Sequence, residues 1–395
     1  MKNFIYISPN FPSNHWFFIR HLKNNGLNTL GIGDAPYDEL TKDLKDSLNE
    51  YYKVSSLENY DEVYKAVAFF AFKYGKIDWL ETNNEYWLER DAKLRKDFNI
   101  TSGFMPEDMD VVKFKSKMKQ NYRKAGIPVA RYHLVDNEEG CRAFIEEVGY
   151  PVVAKPDNGV GASDTHKIKT EEDLKRFFET KMDLQYIMEE FITGEVQSYD
   201  AIINSKGEPL FENGNVTVSN LMDTVNMKLN TVFYERSVLP EDLLDAGRRT
   251  VKAFGVKSRF VHLEFFRLSK DQYLGKNGDI VGLEVNMRPP GGIAPTMMNY
   301  ANGTDVYEMW ADMIAYDETD RYRERQEVCV FASRRDGRDF RITPEEVRAK
   351  YSGHLREEGR VDAALSDCMS DYMFLATFPT EEECRDFAID VLTEV

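Results

Sequence analysis

Glu284, Asn286 and Arg288 alternate within the run Gly-Leu-Glu-Val-Asn-Met-Arg-Pro-Pro-Gly-Gly. Along an extended strand alternate side chains share one face. Two oxygen donors and a guanidinium therefore point the same way. Glu264, twenty residues upstream in Phe-Val-His-Leu-Glu-Phe-Phe, supplies a further carboxylate from a second strand. Hard oxygens of this kind suit Mg2+, which shares them with substrate phosphates. An arginine fork beside them stabilises the charge that develops during phosphoryl transfer. Glu264 and Glu284 sit among Leu263, Phe265, Phe266, Leu283 and Val285. Carboxylates in such apolar strands need a partner, either a metal or a basic residue such as Arg288. The chemistry this set predicts is that of an ATP-using enzyme.

Two further segments carry chemistry of the same kind. A strand over 150–156 contains Lys155 and runs into the polar segment Asp157 to Asp164, with Gly159, Gly161 and Ser163. Glycines let backbone N–H groups approach phosphate oxygens, and such a loop can close over a triphosphate. Lys155 adds a point charge. By itself this pattern also describes a solvated hairpin, and neither a Walker-type P-loop nor the protein-kinase signatures are present. In Met188 to Glu195, a strand leading into a turn offers backbone groups to an adenine edge, with a carboxylate following for ribose hydroxyls. The plain alternative for Glu189 and Glu190 is a solvated strand edge. Gly31 and Gly33 make a tight turn rather than a dinucleotide fingerprint, since no third glycine follows at the required position.

The elements that must position these residues follow from hydrophobic periodicity. Residues 1–112 alternate strand and helix: strands at 4–7, 27–34 and 77–81, helices near 15–25, 60–74 and 85–96. That alternation predicts a parallel sheet with helices on both faces. A second unit, 113–190, reads as a helix at 113–125, strands at 129–135, 150–156 and 186–192, and helices at 138–148 and 171–182. A third, 191–318, is mostly sheet, with helices at 240–254 and 303–315. The remainder, 319–395, is charge-rich, with one strand at 372–378 and a closing helix at 380–393, and reads as a structural extension or an interface.

Bulk properties narrow the partners. The chain has 395 residues and a formal net charge of −17 with both signs interspersed. Nucleic acid as a main partner would need a basic face. The four cysteines, Cys141, Cys329, Cys368 and Cys384, form no C-x-x-C pair and no zinc spacing with histidine. They read as free thiols in a reducing compartment. The N-terminus lacks the pattern of a signal peptide, and the apolar stretch 66–72 is too short to span a bilayer. The expectation is a soluble cytoplasmic protein, free of membrane and nucleic acid, with a homodimer as an option.

These pieces, in this order, resemble the ATP-grasp superfamily, which groups carboxylate–amine ligases with enzymes like the carbamoyl-phosphate synthase large subunit. The resemblance runs from about Lys113 to Asp312. It implies a fold of mixed α/β and α+β class: an N-terminal parallel α/β domain, a small lid, and a larger antiparallel-sheet domain with ATP between the last two. Lys115 lies eleven residues before Gly126, the family spacing for the first nucleotide-binding lysine, with Lys113 and Lys117 as alternatives nearby. Phe114 stands where the family usually has Asp. Lys155 matches the second lysine, and the segment with Gly159, Gly161 and Ser163 matches the phosphate-covering loop. Glu189, Phe191 and Ile192 match the adenine hinge, and Glu195 the ribose-binding acid. Glu264, Glu284 and Asn286 match the metal ligands, and Arg288 the arginine that steadies the reacting phosphoryl group.

The resemblance implies ATP and Mg2+, or Mn2+ in its place, as cofactors. The expected activity is an ATP-dependent ligase that activates a small-molecule carboxylate as an acyl phosphate and couples it to an amine, releasing ADP and phosphate. Carboxyphosphate or carbamoyl-phosphate chemistry is one alternative. It is disfavoured by the absence of a biotinyl-lysine context, a glutamine-hydrolysing cysteine and a duplicated half. A non-catalytic ATP-binding regulatory protein is the other, disfavoured by the intact Glu264, Glu284, Asn286 and Arg288. The acceptor pocket is expected among the N-terminal domain, segment 217–236 and the loop 289–295. Arg236 and Lys228 are candidate carboxylate binders there, with a solvated strand face as the preferred reading. Asn83, Asn84 and Glu85 either touch substrate or cap a helix.

Overall fold

The computed structural model describes residues 1–159, 164–218 and 228–395. The chain opens as strand–helix repeats: β1 (Asn3–Ile7), α1 (Trp16–Asn24), β2 (Asn28–Gly33), α2 (Lys42–Ser47), β3 (Glu50–Lys53), α3 (Tyr60–Tyr74), β4 (Trp79–Glu81) and α4 (Leu88–Asp97). The strands form a parallel sheet in the order β3-β2-β1-β4. All of β1, Asn-Phe-Ile-Tyr-Ile, is buried, as a strand covered on both faces requires. Helix α3 starts where the Asn59 side chain accepts from the Glu62 N–H, and stops at Gly75 with φ of 87°.

Two consecutive helices, α5 (Met109–Lys113) and α6 (Lys115–Lys124), lead to a four-stranded antiparallel sheet. Its strands are β5 (Tyr132–Leu134), β6 (Val152–Pro156), β7 (His166–Ile168) and β8 (Tyr186–Glu190), in the order β5-β8-β6-β7. Helices α7 (Glu138–Val148) and α8 (Glu171–Thr180) pack their apolar faces, including Cys141, Phe144, Leu174 and Phe177, on this sheet.

The largest layer is an eight-stranded antiparallel sheet ordered β13-β12-β9-β10-β11-β14-β16-β15. Its strands are β9 (Gly194–Ile203), β10 (Pro209–Thr217), β11 (Thr231–Arg236), β12 (Arg259–Leu268), β13 (Ile280–Asn286), β14 (Val328–Arg334), β15 (Leu355–Arg360) and β16 (Tyr372–Phe378). One face is covered by α6 and α9 (Glu241–Ala253). The other is covered by α10 (Ala294–Asn302) and α11 (Val306–Tyr316), which also meet α1 of the first unit. Helix α9 lies so close that a Cβ on Gly247 would come 2.2 Å from the Tyr199 ring. Helices α12 (Pro344–Lys350) and α13 (Glu381–Leu392) complete the fold.

The last eighty residues hold more regular structure than their composition suggests. β14 and β15 join β16 in the main sheet, where the sequence shows one strand clearly. β14 is buried along its whole length although it ends in arginine. β15, Leu-Arg-Glu-Glu-Gly-Arg, is an edge strand whose charges hide any alternation. Strand β3 and helix α10 also go beyond the periodicity, the latter beginning just after a Pro-Pro-Gly-Gly turn. The four cysteines are free thiols. No helix among the described residues is long and apolar enough to cross a membrane.

A buried ion cluster rivets the first unit to the large sheet. Glu81, at the end of β4, lies 2.6 Å from Arg259 on β12 and 3.1 Å from Arg95 on α4. Arg259 also donates to the Met287 carbonyl at 2.8 Å, and Arg95 to the carbonyls of Leu80 and Phe104. Removing one member of such a cluster strands the others without solvent. Glu81→Ala is expected to lower stability by about 3–5 kcal/mol, read as a reduced urea midpoint with an unchanged slope.

Candidate active site

The site begins with the register of β12 on β13. Glu264 stands directly opposite Glu284, and His262 opposite Asn286. One extra residue on β13, Leu283, makes a bulge immediately beyond this pair, where Phe265 meets Gly282. Bulges of this sort re-aim side chains at sheet edges. Tyr122 of α6 packs on Gly282, where a Cβ would lie 2.6 Å from its ring. Its hydroxyl donates to the carbonyls of Glu264 and Glu284, at 3.1 and 2.9 Å, and so holds both strands under the carboxylates.

Two facing carboxylates repel unless cations stand by. Lys115 Nζ is 3.2 Å from Glu284 Oε1 and donates to the Gly159 carbonyl at 3.0 Å. His262 Nδ1 is 2.6 Å from Asp200 Oδ1, and its Nε2 is 3.7 Å from Glu264 Oε1. Burial opposes charging of His262, but Asp200 outweighs it and raises the ring to about 10, so it is cationic at neutral pH. Burial would likewise raise the Glu264 carboxyl, yet His262, Arg288 and Lys155 together hold it below its ordinary value. Asn286 Oδ1 accepts from Arg288 Nη2 at 3.3 Å. Glu264 pairs with Glu284, and Asn286 follows two residues along β13, so the three side chains share one sheet face. This all-oxygen set fits a hard divalent cation, with two carboxylates to match its charge.

Two further lysines meet on Glu189. Lys155 on β6 is 2.8 Å from Glu189 Oε2 on β8, and Lys119 on α6 closes on Glu189 Oε1. Burial pushes the Glu189 carboxyl up, but the two ammonium groups prevail and bring it down to about 2. Lys115 and Lys119 are one helical turn apart on α6 and both are buried. The neighbouring lysines go elsewhere. Lys113 is 3.0 Å from Glu85 Oε1, buried between the first unit and α5. Lys117 is exposed and pairs with Asp110.

The remaining sequence candidates spread along the hinge. Phe191 lies under Lys167 Nζ, 3.9 Å from the ring centre. Ile192 is buried with Ala130, Leu268 and Val281. Glu195, at the start of β9, accepts from Gln197 at 2.6 Å. Gly161 and Ser163 lie outside the described residues. Arg236 is engaged by Glu381 of α13, and Asn84 caps the turn at Tyr86. Arg288 Nε lies 3.5 Å from Glu85 Oε2, so the first unit forms a wall of the site.

Three participants escaped the sequence reading. Lys119 carried a signal, its helical spacing from Lys115. His262 also carried one, two residues before Glu264 on the same strand face. Asp200 carried none: only the β9–β12 register brings it opposite His262.

Residues 112–291 match the sequence profile of the ATP-grasp domain. The L-arginine-specific L-amino acid ligase of Bacillus subtilis is 24% identical over 264 residues, 64% of this chain. The chain thus spans 62% of that ligase's length. The crystal structure of an L-amino acid ligase from Bacillus licheniformis superposes with a TM-score of 0.70 at 15% identity, covering 100% of this chain and 98% of that one. The biotin carboxylase domain of the 2-oxoglutarate carboxylase from Hydrogenobacter thermophilus, solved with MgADP and bicarbonate, gives 0.68 at 16% identity, covering 98% and 88%.

The lysine clamp has a pH signature. The folded Glu189 carboxyl lies below its ordinary 4.5, so its contribution is complete above about 4.5 and is lost as pH falls toward about 2. Glu189→Gln is expected to be less stable than the parent at neutral pH. The gap, followed by thermal denaturation at stepped pH, should narrow across that window.

Proposed function

From the premise that residues 112–291 are an ATP-grasp domain, we propose that this chain is an ATP-dependent ligase. It activates a small-molecule carboxylate as an acyl phosphate and couples it to an amine, releasing ADP and phosphate. The observation that carries this reading is the pairing of Glu264 with Glu284, with Asn286 and Arg288 on the same face and Lys115 against Glu284. A protein that only bound nucleotide would have no need to hold two facing carboxylates beside an arginine. The likeness to L-amino acid ligases favours an amino acid as one substrate.

In this reading ATP lies between the small and large antiparallel sheets. The strand-to-turn backbone at Glu189, Phe191 and Ile192 receives the adenine, and Glu195 the ribose. Lys115, Lys119 and Lys155 bind phosphate oxygens, and Gly159 after Asp157 adds backbone beside them. Glu264, Glu284 and Asn286 would hold Mg2+, which when bound neutralises charge on the phosphoryl oxygens. The carboxylate oxygen attacks the γ-phosphorus as the bond to ADP breaks. The amine nitrogen then attacks the acyl carbon, phosphate leaves, and the amine proton passes to solvent. Arg288 stays on the transferred phosphoryl group through both steps. Catalysis here is positioning and charge stabilisation, with no side-chain nucleophile.

Glu284→Gln is expected to reduce ADP release at least about 100-fold with the circular-dichroism spectrum unchanged. Normal turnover by that variant overturns the metal assignment. ADP release measured over carboxylates crossed with amines, bicarbonate included, identifies the substrates. Stimulation by bicarbonate alone would move the reading to carboxyphosphate chemistry, and stimulation by no pair to a binding protein. Lys119→Met should weaken ADP binding about 10-fold in a fluorescence titration, as loss of one charge-assisted contact to phosphate.

A further inference from the structure

The parallel sheet of the first unit runs β1 to β2 to β3 on one side, then returns to place β4 on the other side of β1. In open parallel sheets, ligands sit in the crevice where the strand order reverses, outside the carboxyl ends of the strands. Here that crevice lies between the segments leaving β1 and β4. Ser8 and Asn83, which leave those strands, have φ of 55° and 54°. Non-glycine residues in this conformation cluster at ligand sites.

The crevice opens onto Arg288. Asn14 donates to the Gly292 carbonyl at 2.9 Å, fastening the β1–α1 segment to the turn that follows Arg288. Glu85, at the β4 exit, lies against Arg288 Nε. The arginine donates Nη1–H to the Pro289 carbonyl at 2.8 Å and Nη2–H to Asn286. A guanidinium has five N–H donors, so one on each terminal nitrogen remains.

Beside the Glu85 carboxylate, which faces Arg288, the crevice holds several donors. His15, the N-cap residue of α1, is 6% exposed, and its Nδ1 lies 3.1 Å from the Tyr6 hydroxyl. Its Nε2 has no partner among the described residues. Asn83 is 5% exposed, and its amide nitrogen, beside the Tyr6 hydroxyl, is buried with no hydrogen-bond partner in good geometry among the described residues. The N-terminal end of α1 adds the positive end of a helix dipole.

We propose that this crevice is the binding site for the substrate's carboxylate, gripped by Arg288, the His15 Nε2–H and the Asn83 amide. Tyr6 is a positioning residue: with its hydroxyl donating to Nδ1, the ring carries its hydrogen on Nε2. Burial first, and then the Arg288 charge, lower His15 to about 3. The ring therefore donates as a neutral group beside the arginine. The assignment rests on the ligase reading, because it is Arg288 that joins the crevice to the phosphoryl site.

The test combines kinetics with ring-proton spectra of the full chain in MgATP. The probes are the twenty proteinogenic amino acids, lactate, succinate and acetate. His15→Asn should raise KM for the most active acid about 10- to 100-fold, leaving KM for ATP unchanged, as loss of a hydrogen bond to a charged group. Tyr6→Phe should raise it about 3- to 10-fold. In the parent, that acid should shift the His15 Nε2–H correlation, assigned by its loss in His15→Asn. Unchanged KM in both variants overturns the assignment and leaves the ligase reading in place, as does an unmoved His15 signal with an active acid. A shift at His15 without ADP release from any pair supports the carboxylate site and overturns the ligase reading.

Discussion

Two carboxylates face each other across the β12–β13 ladder, and much of the surrounding structure answers that constraint. Like charges opposed on one sheet face are unfavourable unless cations or a metal compensate. Lys115 takes Glu284, His262 leans toward Glu264, and Arg288 closes the far side through Asn286. Tyr122 fixes the two strands from beneath, and a glycine at 282 is what lets its ring come close enough. The pair is thus held by protein groups.

The cations come from the second and third units of the fold, and the first unit answers them with carboxylates. Helix α6 presents Lys115 to Glu284 of the large sheet and Lys119 to Glu189 of the small one, so a single helical face serves both sheets. Asp200 on β9 gives His262 its charge. The first unit contributes Glu85 to Arg288 and Glu81 to Arg259, and these contacts set its carboxyl strand ends against the phosphoryl site. Beneath them the large sheet continues as a buried polar stripe. Asn213 and Asn215 donate to Glu235, whose carboxyl is raised well above its ordinary value by burial and by Asp200.

The parts visible in the sequence were those governed by local period. Glu284, Asn286 and Arg288 share a face because a strand alternates, and the parallel first sheet follows from strand–helix alternation. Other parts were hidden for physical reasons. β15 is an edge strand with charges at most positions, so no apolar alternation marks it. β14 carries a run of apolar residues but ends in Ser333 and Arg334, both of which the fold buries. Arg334 donates to the Val391 carbonyl. Arg236, which reads in the sequence as a solvated strand residue with carboxylate binding as the alternative, is instead taken up by Glu381 from the last helix.

What the sequence determined by itself was the inventory of chemistry: hard oxygens, an arginine, spaced lysines and a glycine-containing loop, in an order that resembles one superfamily. Local geometry suffices for that, because each motif lies within one strand or one turn. Tertiary structure decided the pairing. Which lysine meets which carboxylate, why His262 is charged and His15 neutral, and how the first sheet's crevice reaches Arg288 all depend on contacts between residues far apart in the chain. Charge state and orientation are set by those neighbours and by burial, and neither is written in any single segment.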